Sequence, residues 1–391
     1  MITPPTDLPR RGFPPDEFRA RTMRAQSAMA AAGLDALLLT TEPAVRYVTG
    51  FLTRFWESPT RPWFVVLPAS GNPLAVIPQI GAHLMRGTWL TDIRTWQSPD
   101  YADDGVSLLA DTLREVIGPE GTIGVPDGAE THLRMPLADW DRLKAALPRH
   151  RFTGDAGILR ALRMVKSEPE IARIRTACGI AGRAFARVPE IATPGQPLSA
   201  VFRRFQALCL DEGADWVPYL AGAAAPGGYG DVISPADDRP LAPGDVLMLD
   251  TGLVFDGYFC DFDRNFSIGP AAPGVRDAHA RLIEATQTGF AAARPGATAA
   301  DLYHAMDHVL TGGQGAPGRL GHGLGMQLTE PPSLIPDDRV ELRAGMVLTL
   351  EPGIEVSPGR ILVHEENIVI RETGAEWLTT PADHALPELA G

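Results

Sequence analysis

Three aspartates lie in a stretch of apolar sequence that has the pattern of a β-hairpin. Asp256-Gly257 separates two apolar runs and is typical of a two-residue type I′ turn. Such a turn places Asp250 opposite Asp263 and Gly252 opposite Asp261, with all three carboxylates on one face because side chains alternate along a strand. Like charges there repel one another, so the cluster needs a cation, a shared proton or solvent. Gly252 is expected to leave an opening for an ion, and a solvated acidic hairpin is the alternative.

Three later segments carry further groups of the kind that bind metals. His322 lies in a glycine-rich turn, Glu351 ends an apolar strand, and Glu365 lies at the start of another strand. With Asp250 and Asp261 they supply four carboxylates and one imidazole. This set suits two divalent ions and favours Mn²⁺, Fe²⁺ or Co²⁺ at least as much as Zn²⁺, with Mn²⁺ expected first. Two such ions about 3.5–4 Å apart hold a hydroxide between them and polarise a carbonyl group.

The elements that must position these groups fall into two regions. The first has an Ala-rich helical stretch that ends near Gly33, followed by short apolar runs that are typical of buried strands in an α/β unit. The second begins at Ser167-Glu168-Pro169-Glu170, which has the pattern of a capping box and precedes two predicted helices, 171–188 and 199–212. We therefore predict two domains, residues 1–160 and 161–391.

Composition excludes several classes of protein. With 45% hydrophobic and 21% charged residues, the chain is globular with a sizeable core. No apolar run approaches the ~18 residues of a membrane span, and no secretory signal is visible near the N-terminus. Three scattered cysteines favour a reducing cytoplasm over a disulfide framework. A net charge of −13 and the absence of a basic run argue against a nucleic-acid partner.

The metal-binding pattern resembles that of the pita-bread family of metallohydrolases, which includes Xaa-Pro aminopeptidase, prolidase, methionine aminopeptidase and creatinase. Asp-x-Gly-x4-Gly-Tyr-x2-Asp, Gly-His-Gly-x-Gly, Glu-Pro-Gly and a final Glu occur here in the family's order. The resemblance implies an α/β fold with a small creatinase-type N-terminal domain followed by a pita-bread catalytic domain. It also implies five metal ligands, Asp250, Asp261, His322, Glu351 and Glu365. Glu351 and His322 are the expected catalytic residues, with Glu351 accepting the proton of the bridging water.

Departures from the family pattern concern the substrate. Peptidase members usually carry a second histidine where Thr329 stands, and a further histidine upstream of the metal strand is also absent. Val363 replaces an arginine, and Asp263 replaces a threonine. Three hypotheses therefore stay open. The chain is a hydrolase resembling Xaa-Pro aminopeptidase or prolidase that cleaves a peptide or amide bond with the bridging hydroxide, a C–N hydrolase or lyase of a small zwitterionic metabolite, or an inactive binding protein.

Candidate substrate-binding residues lie near the metal pattern and in the N-terminal region. They are Arg54, Trp56, Arg61, Trp216, Tyr229 and Thr329, and Tyr219 is a further candidate for lining a pocket. Family members commonly dimerise so that the N-domain of one subunit borders the active site of the other. Arg54 or Arg61 is therefore expected to hold a substrate carboxylate through two parallel hydrogen bonds. The expected partners are a small peptide or small molecule and a second copy of the chain in a homodimer, without nucleic acid or membrane.

Overall fold

The computed structural model describes residues 8–58 and 61–390, which form two compact units. One unit spans Gly12–Arg163, and the other contains residues 8–11 and 164–390. The predicted division after residue 160 remains a prediction. Within the described ranges, no helix is long and apolar enough to cross a membrane.

The N-terminal unit is a mixed six-stranded sheet with helices around it. Its strands are β1 (Ala36–Leu39), β2 (Phe64–Pro68), β3 (Leu74–Pro78), β4 (Ile93–Trp96), β5 (Thr122–Val125) and β6 (Arg151–Gly154), in the order β4-β3-β2-β1-β5-β6. Its helices are α1 (Pro15–Ala32), α2 (Glu42–Thr49), α3 (Ala82–Arg86), α4 (Val106–Ile117) and α5 (Leu137–Ala146), and α6 (Ile158–Met164) follows. The predicted first helix is confirmed and ends at Gly33 in the left-handed conformation. Strands β1, β2 and β3 are buried throughout, as their continuous apolar runs indicate.

The second unit contains two larger sheets, a two-stranded ribbon and four helices. The helices are α7 (Glu168–Ala186), α8 (Leu198–Asp211), α9 (Pro273–Ala292) and α10 (Ala299–Thr311). The strands are β7 (Trp216–Pro226), β8 (Asp245–Phe255), β9 (Tyr258–Phe259), β10 (Phe262–Ile268), β11 (His322–Gly323), β12 (Glu330–Ser333), β13 (Val347–Leu350), β14 (Gly353–Ser357), β15 (Arg360–Val363), β16 (Glu366–Arg371), β17 (Gly374–Trp377) and β18 (Glu388–Leu389). Both predicted helices are therefore present, with bounds that differ by a few residues.

The two larger sheets carry the two halves of the metal-binding pattern. The first sheet has the order β18-β10-β8-β7, with β9 paired to β8, and α7 and α8 pack against it. The second has the order β12-β11-β13-β16-β17, and α9 packs against it. Buried apolar residues from α9, α10 and the second sheet form one core cluster, which includes Leu282, Leu302, Leu348 and Ile368. Strand β8, which carries Asp250, thus packs against α7, and β13, which precedes Glu351, packs against α9.

Helix α7 begins at the predicted capping box, which also supports the hairpin. The Ser167 N–H donates to the Glu170 carboxylate at 2.9 Å, and both reciprocal bonds of the box are present. The second oxygen of Glu170 accepts a hydrogen bond from the Tyr258 hydroxyl at 2.9 Å. One buried carboxylate therefore stabilises the start of α7 and anchors the turn end of the hairpin.

The hairpin itself has the predicted turn and register. Asp256 and Gly257 both have positive φ, 48° and 79°, as a type I′ turn requires. Asp263 pairs with Asp250 across the β8–β10 ladder, which confirms the expected alignment. The ladder is interrupted at Asp261, which lies between β9 and β10. This interruption frees the backbone of Asp261 for contacts with the other sheet.

Candidate metal centre

Asp261 is held in place by a side chain of the second sheet. Its N–H donates to Asn367 Oδ1 at 3.0 Å, and the Asn367 amide donates to the Asp261 carbonyl. Asn367 lies in β16 and is fully buried. The Asn367 side chain therefore replaces the missing ladder bonds and ties the two sheets together beside the predicted ligands.

His322 can enter the centre because glycines flank it. A Cβ on Gly323 would collide with the Pro331 carbonyl, and a Cβ on Gly321, whose φ is 137°, would collide with the Thr349 carbonyl. The backbone around His322 is thus pressed between β12 and β13. His322 Nδ1 lies 2.8 Å from the Gly323 carbonyl, so this nitrogen carries the proton and Nε2 presents its lone pair to the centre.

The remaining ligand candidates follow the ends of strands in the second sheet. Glu351 comes directly after β13, and its N–H donates to the Leu320 carbonyl at 2.9 Å. Glu365 comes directly before β16, and its N–H donates to Asp263 Oδ1 at 3.1 Å. Asp263 therefore anchors the backbone of Glu365 from the opposite sheet.

Three of the five predicted ligand residues converge in space, and the charges of the other two, Asp250 and Glu351, act on Asp261. Donor atoms of Asp261, His322 and Glu365 all lie within 4.8 Å of one another, and these three residues are buried. His322 Nε2 lies 3.4 Å from Asp261 Oδ2 and 4.0 Å from Glu351 Oε2. Asp250 Oδ1 and Glu365 Oε1 are buried and lack a hydrogen-bond partner among the described residues. Unsatisfied carboxylate oxygens beside a neutral imidazole are the donors that a divalent ion requires, so the residues fit the implied metal pair.

Electrostatics at the centre favour a bound cation. Burial, together with the neighbouring carboxylates, raises the pKa values of Asp250, Asp261 and Glu365 well above their ordinary range. Burial raises the pKa of Glu351 to about 7, and burial lowers the pKa of His322 to about 4. The imidazole is therefore neutral at neutral pH, whereas ionisation of the clustered acids without a cation is unfavourable.

Asp263 continues into a buried chain of alternating charges. His364 Nδ1 lies 3.6 Å from Asp263 Oδ1, and His364 Nε2 lies 3.2 Å from Glu366 Oε1. Arg264 donates to the other oxygen of Glu366 at 3.0 Å. Burial opposes the charge on His364, but the two carboxylates raise its pKa above the ordinary value. Asp263 thus lies beside a buried imidazole whose charged form the two carboxylates favour.

The expected opening at Gly252 is filled by a side chain. A Cβ on Gly252 would collide with Leu328 Cδ1, so the absence of a side chain accommodates Leu328 rather than an ion. Sequence alternation alone could not show this, because Leu328 comes from a distant loop. The prediction of an ion-sized gap between the acids at this glycine is therefore wrong.

The loop that carries Leu328 is fixed by a buried ion pair. Lys166 Nζ lies 3.2 Å from Glu330 Oε2, and both side chains are only 2% exposed. The other Glu330 oxygen accepts the N–H groups of Met326 and Gln327 at 3.0 and 3.1 Å. A carboxylate satisfied in this way fixes the loop next to His322.

The candidate pocket residues of this unit have different environments. Tyr219 pairs with Gly252 in the ladder, and its hydroxyl donates to the Val232 carbonyl at 3.5 Å. Burial and the charges of Asp250 and Asp261 raise its pKa. Trp216, the first residue of β7, pairs with Val254 of β8. The predicted substrate-binding role of Trp216 stays a prediction.

Tyr229 and Thr329 have hydrogen-bond partners that bear on their predicted roles. Tyr229 is fully buried, donates to Asn265 at 3.0 Å and accepts from the Val363 N–H at 2.7 Å. These contacts favour a structural role for Tyr229. Thr329 Oγ1 lies 3.4 Å from Arg319 Nη2. Substrate binding by either residue stays a prediction.

The other three candidates lie in the N-terminal unit. Arg54 pairs with Glu57 at 2.6 Å, and Arg61 donates to Ser98 Oγ at 3.2 Å. The guanidinium of Arg134 lies over the Trp56 ring, 5.3 Å from the ring centroid. These contacts describe the local structure, and substrate binding by these residues also stays a prediction.

Sequence reasoning missed Arg319, Lys166 and Asn367 as parts of the site. In the sequence Lys166 is one of two lysines and lies where the catalytic domain is expected to begin, and Arg319 is a residue near the His322 turn. Asn367 follows the final predicted ligand by two positions, the spacing that places two residues on one face of a strand. That spacing is the one local signal that could have indicated a role at the site.

Comparison with known proteins covers both units. Residues 172–372 match metallopeptidase family M24, and residues 21–165 match the creatinase/prolidase N-terminal domain. The chain is 31% identical to a probable dipeptidase PepE of Mycobacterium tuberculosis over 93% of its own length and 95% of that protein. It is 25% identical to an Xaa-Pro dipeptidase of Pyrococcus horikoshii over 88% of the chain and 93% of that protein.

Solved structures show the same architecture. The dipeptidase PepE of Mycobacterium ulcerans superposes with a TM-score of 0.83 at 29% identity, covering 97% of this chain and all (100%) of that one. A prolidase from Thermococcus sibiricus gives a TM-score of 0.84 at 23% identity, covering 95% and 99%. The predicted creatinase-type N-terminal domain and pita-bread catalytic domain are confirmed. The chain belongs to metallopeptidase family M24.

Proposed function

We propose that this protein is a metal-dependent dipeptidase that hydrolyses short peptides, Xaa-Pro dipeptides among them, with two divalent ions held by Asp250, Asp261, His322, Glu351 and Glu365. The observation that carries the proposal is the convergence of buried donor atoms from Asp261, His322 and Glu365 within 4.8 Å. The orphaned oxygens of Asp250 and Glu365 support the same ligand set. A buried carboxylate cluster of this kind is costly to keep without a cation, which disfavours a metal-free binding protein.

The chain's own residues supply positioning and proton transfer. When bound, the two ions supply Lewis acidity that polarises a carbonyl group and lowers the pKa of water. Glu351 faces the centre with one quarter of its side chain exposed (26%), so its carboxylate can take a proton from water and later release it to the leaving amine. The hydrogen bond from His322 Nδ1 to Gly323 holds the ring in the tautomer with Nε2 unprotonated.

Peptides are favoured as substrates over small zwitterionic metabolites. The matched relatives are named as a probable dipeptidase and an Xaa-Pro dipeptidase. The metabolite hypothesis depends on the absence of two histidines that peptidase members usually carry. The comparisons do not favour that alternative.

Three finer features form part of the proposal. The oxygen-rich donor set supports Mn²⁺ as the resident ion. The three cysteines are free and buried, which supports a reducing cytoplasm as the location. A homodimer is expected from the family resemblance, and sedimentation velocity of the purified protein tests it.

Metal content and turnover of a matched pair of variants test the proposed function. We expect manganese-loaded protein to hydrolyse dipeptides and chelator-treated protein to lose that activity. Asp261→Ala removes a buried ligand and should lower both bound metal and kcat/KM at least about 100-fold. Asp277→Ala, an exposed aspartate on α9, is the control and should leave both unchanged. Full activity in Asp261→Ala, or turnover confined to zwitterionic metabolites, would refute the proposal.

A further inference from the structure

Arg319 lies at a fixed position beside the candidate metal centre. It follows α10 and precedes His322 by three residues, and its side chain is exposed. The next residue, Leu320, donates its N–H to the Leu334 carbonyl and accepts the N–H of Glu351, each at 2.9 Å. The backbone next to Arg319 is therefore bonded to Glu351, a predicted ligand, and to Leu334, which follows β12. This anchoring restricts where the guanidinium can reach.

The guanidinium of Arg319 uses few of its N–H donors in contacts with the described part of the protein. Among the described residues it makes one hydrogen bond, from Nη2 to Thr329 Oγ1 at 3.4 Å. Over residues 8–58 and 61–390, no carboxylate pairs with it within 4.0 Å. By contrast, Arg264 in the same unit pairs with Glu366 at 3.0 Å. Since a guanidinium carries five N–H donors, most of those on Arg319 remain available to a ligand.

The charge of Arg319 acts on the centre itself. Burial raises the pKa values of Asp261 and Glu351, and the positive charge of Arg319 opposes that rise at both. Burial lowers the pKa of His322, and the same charge lowers it further. His322 follows Arg319 by three residues, and the Leu320 carbonyl accepts the Glu351 N–H, so the backbone holds Arg319 next to two of the predicted ligands. It is an exposed cation beside a buried anionic cluster.

We propose that Arg319, oriented by Thr329, binds the free C-terminal carboxylate of a peptide substrate and thereby selects dipeptides. The inference rests on the proposed function and names its specificity determinant. Consecutive Cα atoms are about 3.8 Å apart, so the carboxylate of a dipeptide lies within about one residue of the bond that is cut. A planar guanidinium matches a carboxylate with two parallel hydrogen bonds. Arg54 is less suited to this task, because its guanidinium is already paired with Glu57.

The test compares dipeptides with the same dipeptides blocked as C-terminal amides. The wild-type protein, loaded with manganese, should prefer the acid, and Arg319→Gln should reduce the acid-to-amide ratio of kcat/KM about 10- to 100-fold, mainly through KM for the acid. Arg319→Lys keeps the positive charge but lacks the planar pair of N–H donors. Its acid-to-amide ratio should lie between those of Arg319→Gln and the wild-type protein. Thr329→Val removes the one hydrogen bond to the guanidinium and should reduce the ratio less than Arg319→Gln does. Arg339→Gln, at another exposed arginine, is the matched control and should leave the ratio unchanged.

The outcomes separate this inference from the proposed function. Turnover of neither the acid nor the amide by the wild-type protein would overturn the proposed function and the inference with it. Turnover of both, with an equal loss on both in Arg319→Gln, would overturn the inference alone and assign Arg319 a general electrostatic role. An acid-to-amide ratio of kcat/KM that falls about 10- to 100-fold in Arg319→Gln and partly recovers in Arg319→Lys would support the inference, at about the size expected for lost charge-assisted hydrogen bonds.

Discussion

Replacing Glu351 by glutamine should stabilise the metal-free protein and destabilise the metal-loaded one. Burial raises the pKa of Glu351 from 4.5 to about 7, so the folded chain binds this proton more tightly than the unfolded chain does. Stability from the protonated carboxyl is therefore complete below about pH 4.5 and is lost as the pH rises through 7. Glutamine mimics the protonated acid and does not titrate.

The magnitude follows from the same values. A rise from 4.5 to about 7 corresponds to roughly 3 kcal/mol, at about 1.36 kcal/mol per pH unit. Because 26% of the side chain faces solvent, we take this as the upper value. At pH 8, metal-free Glu351→Gln should therefore be more stable than the wild-type protein by up to about 3 kcal/mol, and the difference should vanish near pH 4.5.

Urea denaturation of chelator-treated protein at the two pH values measures this difference. Addition of Mn²⁺ should reverse its sign, because the wild-type protein gains more binding free energy from the ions than a variant that lacks one ligand. Comparing variant with wild type cancels the opposing titration of His322 and His279, whose pKa values burial lowers to about 4. A metal-free variant at pH 8 that is no more stable than the wild-type protein would refute the reasoning.

Two buried ion pairs give further predictions. Lys166→Met leaves the Glu330 carboxylate without its counter-charge and should cost about 3–5 kcal/mol in urea denaturation, whereas adding Glu330→Gln should recover most of the loss. A double variant as unstable as the single one would contradict this account. His364→Gln removes the positive charge between Asp263 and Glu366 and should cost about 3 kcal/mol by the same measurement. Unchanged stability in His364→Gln would show that the imidazole is not charged.

Local chemistry allowed much of the fold to be predicted from sequence. The Asp256-Gly257 turn determines the hairpin register because both residues adopt positive φ. The capping box at Ser167 marks the start of α7, since its donors and acceptor lie within one turn of the chain. In both cases the determining contacts join residues that are close in sequence.

Contacts between distant segments could not be predicted in this way. Leu328 covers Gly252, and Glu330 pairs with Lys166, only because a loop folds back over the hairpin. Arg319 acquires its place from the backbone bonds of Leu320 rather than from any motif. The family pattern identified groups able to bind ions, but no pattern indicated which neighbouring residues surround them.

The paired hydrogen bonds between Asn367 and the backbone of Asp261 have a mechanical consequence. Sliding one sheet past the other by a couple of ångströms would break both bonds and leave buried polar groups unsatisfied. At this seam the two halves of the second unit therefore behave as one stiff body, even before a cation joins them. Movement that admits a substrate or releases a product must then come from segments outside this seam.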